Sequence, residues 1–194
     1  MRNQKGVTLI ELMVALTVAS ILLGAAIPSF QQTIVNSRLT TTANELNSSI
    51  NYIRSEAVRL GKSVKLCKSN GGTTCSTSSS VYWENGWIAL DSSGNLLKTW
   101  PELKSGLTLR AYCDPTTCSS SSNIENYLIY NPMGTTNDIG TFAVCNDSNE
   151  ANAKVLIVAR VRPRAGVDSS ADTDQIPETD IDGSNGNISS CESP

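Results

Sequence analysis

Three groups of residues in this chain carry types and spacings that could do chemistry. The first is a lone acid, Glu11, inside an otherwise uncharged run at residues 7–27, VTLIELMVALTVASILLGAAI. A carboxylate within a membrane-spanning helix costs roughly 2.5 to 3.5 kcal/mol on insertion scales, so it is read as paired and functional; the plainer reading is an ordinary anchor with a stray acid near its end. The second is Arg160, Arg162 and Arg164 at the end of an apolar run. On a continued strand Arg160 and Arg162 share one side, and guanidinium groups presented in this way suit phosphate oxygens and bind them without reading base sequence. Lys154 and Lys68 are candidates to widen such a patch. A solvated strand end, or pairing with Asp168, Asp172 and Asp174, is the competing reading. The third is the set Cys67, Cys75, Cys113, Cys118, Cys145 and Cys191. In an exported chain these read as disulfides rather than metal ligands, with 15 pairings open to six cysteines.

What is missing is as informative. The chain has no histidine. That removes Ser-His-Asp and Cys-His catalysis, histidine general bases and most zinc sites. A carboxylate pair or a Ser-Lys pair remains open, but nothing singles one out. Residues 180–191 have the outline of a calcium loop, yet glycine is missing from its sixth position and Cys191 stands where a bidentate Glu is needed. The expectation is a non-catalytic protein without metal or cofactor.

These groups have to be positioned by something. Residues 7–27 number 21, long enough to cross about 30 Å of hydrocarbon as a helix. The six residues before them carry Arg2 and Lys5, a short positive flank that keeps the N-terminus on the cytoplasmic side and sends the body outward. A secretory signal has a shorter apolar core followed by a small-residue cleavage site. Here the small residue, Gly6, comes first, so a cut after Gly6 leaves the apolar helix as the new N-terminus.

After Pro28, residues Leu39, Ala43, Leu46, Ile50, Ile53, Ala57 and Leu60 recur at alternating spacings of four and three, one face of a helix that Gly61 can cap. The stripe lasts barely three heptads, so a sheet is a better cover for it than a coiled coil. Strands are predicted at residues 63–67, 87–90, 96–100, 107–111, 127–130, 141–145 and 154–162, with turn signals such as Asn70-Gly71-Gly72, Ser93-Gly94-Asn95 and Asn131-Pro132-Met133-Gly134 between them. Such spacing suggests antiparallel hairpins. The serine-rich loops 76–80 and 119–122 cannot order themselves by burial, and bridges Cys67 to Cys75 and Cys113 to Cys118 would pin them, leaving Cys145 for Cys191. The net charge of -3 is unevenly spread: residues 165–194 hold seven acids and no base, so a mildly basic body ends in an acidic tail.

Lys5-Gly6-Val7-Thr8-Leu9-Ile10-Glu11 resembles the leader and junction of type IV pilins and type II secretion pseudopilins. The resemblance implies that prepilin peptidase cuts between Gly6 and Val7 and that Val7 is then N-methylated, although the family prefers Phe or Met at that position. Glu11 falls where the family has a Glu that neutralises the N-terminal amine of a neighbouring subunit, and Pro28 where these helices often bend. The body narrows the group. Tyr52-Ile53-Arg54-Ser55-Glu56-Ala57-Val58-Arg59, Val64-Lys65-Leu66-Cys67, Trp83-Glu84-Asn85-Gly86-Trp87-Ile88, Asn131-Pro132-Met133-Gly134 and Gly140-Thr141-Phe142-Ala143-Val144-Cys145 are similar, in order, to the GspH/FimT group of minor pilins and pseudopilins, FimT- or FimU-like. Ala159-Arg160-Val161-Arg162 resembles the Gly-Arg-x-Arg motif of FimT-type minor pilins that bind DNA in natural transformation, with Ala159 in place of the glycine.

The expected fold is therefore α+β and type IV pilin-like, a long N-terminal helix packed on antiparallel sheet. Its parts are a leader at 1–6, a transmembrane part of the helix at 7–27, an amphipathic part at 28–61, a β domain at 62–164 and an acidic tail at 165–194. The implied function is that of a minor pilin in pilus assembly, and the alternative is a minor pseudopilin of type II secretion. Implied partners are major and minor pilins, prepilin peptidase, the inner membrane and, through Arg160, Arg162 and Arg164, double-stranded DNA. The implied location is the inner membrane with the body in the periplasm, then the pilus at the cell surface.

Overall fold

A computed structural model describes residues 6–113, 123–146, 149–166 and 191, without the side chains of residues 25–29 and 149–152. The chain forms two compact units, Met1–Arg38 and Leu39–Pro194, and one helix, α1 (Leu9–Leu60), belongs to both.

In the first unit α1 starts at Leu9, two residues later than residues 7–27 predict. Thr8 stands just before it and its Oγ1 accepts the Glu11 N–H at 3.4 Å, an N-cap arrangement that satisfies one of the donors left over at a helix start. Two polar residues of the apolar run satisfy themselves inside the helix: the Thr17 hydroxyl donates to the Val14 carbonyl and the Ser20 hydroxyl to that of Leu16. Among the described residues no helix is long and apolar enough to cross a membrane.

In the second unit the helix face drawn from the sequence is largely buried. Leu39, Leu46, Ile50, Ile53 and Ala57 are inaccessible to solvent, while Ala43 and Leu60 are half-buried. Tyr52 meets Trp100 edge-on with ring centroids 5.8 Å apart. The helix ends at Gly61, whose φ of +63° suits glycine; Gly61 N–H donates to Val58 and Lys62 N–H to Ala57, the reciprocal pair of bonds that closes a helix C-terminus.

Among the described residues eight strands follow: β1 (Val64–Lys68), β2 (Trp87–Asp91), β3 (Leu96–Trp100), β4 (Leu107–Tyr112), β5 (Tyr127–Tyr130), β6 (Gly140–Asn146), β7 (Asn149–Val158) and β8 (Pro163–Ala165). They form two four-stranded antiparallel sheets, ordered β3-β2-β1-β5 and β4-β6-β7-β8. A short 3-10 turn, Trp83–Asn85, links them: the Trp83 ring packs edge-on against Phe142 of β6 at 5.0 Å and its indole N–H donates to the Glu125 carbonyl. Six of the seven residues of β6 are buried, Thr141 among them, which requires cover on both faces of its sheet. Gly86 ends the 3-10 turn at φ +107°, and a Cβ there would sit 2.8 Å from the Trp100 carbonyl oxygen, so only glycine fits.

The last strand differs from the prediction. The predicted strand 154–162 stops at Val158, and the chain turns through residues 159–162 so that Val158 pairs with Pro163. The cause is local. Arg162 precedes a proline and is held to extended or turn conformations, and Pro163 lacks the N–H a central strand needs, so it can open only an edge strand.

Candidate functional site

Gly6 and Val7 lie exposed ahead of α1, and Glu11 sits in its first turn. An acid is favoured there by the unpaired N–H groups and the dipole of the helix. Glu11 is thus placed at a helix start, on an exposed strip it shares with Ile10, Val14, Ala15 and Val18.

The arginines are not aligned on a strand. Arg160 and Arg162 are exposed in the β7–β8 turn, and only Arg164 is in a strand, paired with Ile157. The Arg160 carbonyl accepts the Thr136 N–H at 2.9 Å, which fixes the turn against the loop after β5. The side chains of Arg160 and Arg162 have no partner among the described residues. Lys68 does not widen the patch, because it is buried and donates to the Ser78 carbonyl at 3.1 Å; burial lowers its pKa. Lys154 is half-buried in β7, opposite Val144. Asp168, Asp172 and Asp174, and the calcium-like outline in residues 180–190, lie outside the described residues.

Disulfides join Cys67 to Cys75 and Cys145 to Cys191, with Cα atoms 5.5 and 6.0 Å apart. Cys113 is also disulfide-bonded, and its expected partner Cys118 lies outside the described residues. Cys191 is buried against Ala143, Ala153, Val155 and Ile157 of β6 and β7, so this residue is fixed to the second sheet.

Two polar clusters escaped the sequence reading. Arg110 of β4 is buried, ion-paired with Glu84, and stacked 4.0 Å above the Tyr82 ring. The same Glu84 carboxylate accepts the Leu109 N–H. Asp138, also buried, accepts the Ile129 N–H at 2.8 Å, and desolvation raises its pKa although hydrogen bonds from Ile129 and Asn123 oppose the shift. Both carboxylates close an outer strand, β4 or β5, whose N–H would otherwise face outward. The Trp-Glu-Asn-Gly-Trp segment was the only sequence signal for the first, and nothing marked the second.

Among the described residues no group of His, Cys, Asp or Glu could hold a metal ion. The described residues present an apolar stretch of helix with an acid in its first turn and, on the body, a β7–β8 turn bearing Arg160 and Arg162.

Comparison with known proteins agrees with this picture. The family profile described as Type II transport protein GspH matches residues 42–161, and that of the prokaryotic N-terminal methylation motif matches residues 1–27. The crystal structure of the type IV minor pilin FimU of Pseudomonas aeruginosa strain PAO1 in space group P21 is 20% identical, with a TM-score of 0.53 over 72% of this chain and 96% of that one. The same protein in space group P65 is also 20% identical, with a TM-score of 0.50 over 70% of this chain and 98% of that one. The minor pseudopilin EpsH from the Type 2 Secretion System of Vibrio cholerae is 11% identical, with a TM-score of 0.45 over 69% of this chain and 99% of that one. No curated protein matches the chain. The likeness to FimU establishes a shared type IV pilin-like fold, and the GspH profile covers more than half of the sequence, so this chain belongs to the GspH family of pilin and pseudopilin subunits.

Proposed function

We propose that this chain is a minor pilin, a non-catalytic subunit of a type IV pilus. Residues 7–27 hold it in the inner membrane with the body in the periplasm. Prepilin peptidase then removes residues 1–6 by cutting between Gly6 and Val7 and methylates Val7. The freed helix packs against major and minor pilins, with the Glu11 carboxylate neutralising a neighbour's N-terminal amine. The observation that carries this reading is the row of exposed apolar side chains on the first half of α1, next to a matched methylation motif. Apolar surface of that extent is stable only in lipid or against other chains.

A second reading, a minor pseudopilin of type II secretion, is favoured by the description of the matching family. Deleting the gene and scoring surface pili and protein secretion separately tests the two: loss of pili with normal secretion supports the first, and the reverse outcome the second. DNA contact through Arg160, Arg162 and Arg164 has less support. Three guanidinium groups fall short of the roughly six to ten phosphate contacts of a strong binder, and the strand expected to align them ends at Val158.

A further inference from the structure

In the second unit the large apolar side chains described as exposed are Val58, Leu96, Met133 and Val161. Three of them come together. Arg54 Nε donates to the Gly134 carbonyl at 3.0 Å, tying α1 to the turn that carries Met133, and a Cβ on Gly134 would lie 3.1 Å from Cγ2 of Val58. Thr136 N–H donates to the Arg160 carbonyl, tying the same loop to the turn that carries Val161. Val58, Met133 and Val161 thus share one end of the body although they are far apart in sequence.

That end is rigid before anything binds to it. Asn131 Oδ1 accepts the N–H groups of Met133 and Thr135, Gly134 N–H donates to the Asn131 carbonyl, and Asn131 N–H donates to that of Thr135. Met133 is 82% exposed at the tip of this turn. An anchor already held in place loses little freedom on binding. Arg54 holds its turn, Arg160 and Arg162 lie in the turn tied to the same loop, and neither residues 131–136 nor residues 159–164 include an acid. Pairing through strand edges is poorly served at three of the four outer strands described: Glu84 and Asp138 occupy outward N–H groups of β4 and β5, and β8 is three residues long and opens with proline.

We propose that this end is a docking surface for a neighbouring pilin subunit that offers an apolar recess rimmed by carboxylates. The proposal rests on the filament reading above and adds the contact face. Charge complementarity selects the partner. Two copies of this chain meeting through the same face would oppose arginine to arginine, and a DNA duplex would gain nothing from Met133 and Val58.

The test uses the full-length chain in its own cells, with a photo-crosslinking residue placed at position 133 or, as control, at exposed Leu96. The expected product from position 133 is a covalent adduct to another chain with an N-terminal methylation motif, in filaments, and far less from position 96. With the probe at position 58, Met133→Asp combined with Arg160→Glu is expected to reduce the adduct about tenfold or more, the loss that follows removal of interface anchors, at an unchanged melting temperature. Chains present in filaments but giving no pilin adduct from position 133, an equal yield from position 96, or adducts to DNA would each overturn the docking surface alone. A chain that never enters filaments would overturn the filament reading and this proposal with it.

Discussion

At Leu9, Ile21 and Phe30 the side chains of α1 are 77%, 74% and 69% exposed, whereas at Leu46, Ile50 and Ile53 the same helix exposes nothing. One helix therefore serves two solvents. Its second half solves the hydrophobic problem within the chain, against β3 through Tyr52 and Trp100 and with Ser49 returning its hydroxyl to the Leu46 carbonyl. Its first half leaves that problem to lipid or to other subunits. The difference shows where a filament subunit stores its stability and where it stores its capacity to assemble: a substitution in one half is expected to affect folding, and in the other to affect assembly.

The sharpest way to break this comparison is a pair of truncations of similar size. Ile50→Ala is expected to destabilise the body by about 2 to 5 kcal/mol, the cost of a buried cavity, whereas Ile21→Ala is expected to change it by less than about 0.5 kcal/mol. Thermal unfolding of the full chain in detergent measures both, and equal effects would remove the distinction. Next in size are the bridges. Cys145→Ser with Cys191→Ser opens a loop of sequence separation 46, and Cys67→Ser with Cys75→Ser one of 8. On a chain-entropy argument the losses are about 4 and about 2.5 kcal/mol, both in the melting of the body. Insertion in the membrane is expected to stay normal in each.

The smallest effect is a pH dependence. Burial raises the Asp138 carboxyl above its ordinary value of 3.8, so the folded chain holds a proton that the unfolded chain has already released. Stability from this group therefore falls as pH rises from 3.8 through the raised value, and is constant above it. Asp138→Asn is expected to flatten that slope in melting temperatures recorded from acid to neutral pH. An unchanged slope would assign it to other carboxylates.

Much of this was legible in the chain. Heptad spacing marked Leu39, Leu46, Ile50, Ile53 and Ala57 because a one-sided helix must repeat its apolar residues, and Gly61 marked the end because few other residues accept its backbone. The Cys67–Cys75 bridge followed from closeness in sequence. Other features were obscured by distance: Glu84 and Arg110 are 26 residues apart and only the meeting of β4 with the 3-10 turn brings them together. The division into two sheets was not legible either, since strand periodicity carries no partner information. Two local signals stand beside these. Pro163 marks the turn that ends β7, and Thr8-x-x-Glu11 is the spacing of a helix cap, which suits the place of Glu11 in the first turn of α1.

That placement leaves two roles open to Glu11, and they can be separated. Glutamine at position 11 keeps the side-chain length and serves a helix cap as well as glutamate does, but it carries no charge to offer a neighbour's amine. The measurement is the amount of Glu11→Gln protein in sheared filaments relative to the amount in the membrane, beside the native chain. The expected result is normal insertion and cleavage after Gly6 with filament incorporation reduced about tenfold or more, as befits an intramembrane acid retained for pairing. Incorporation at the native level would contradict the account, leaving Glu11 as a helix cap and nothing more.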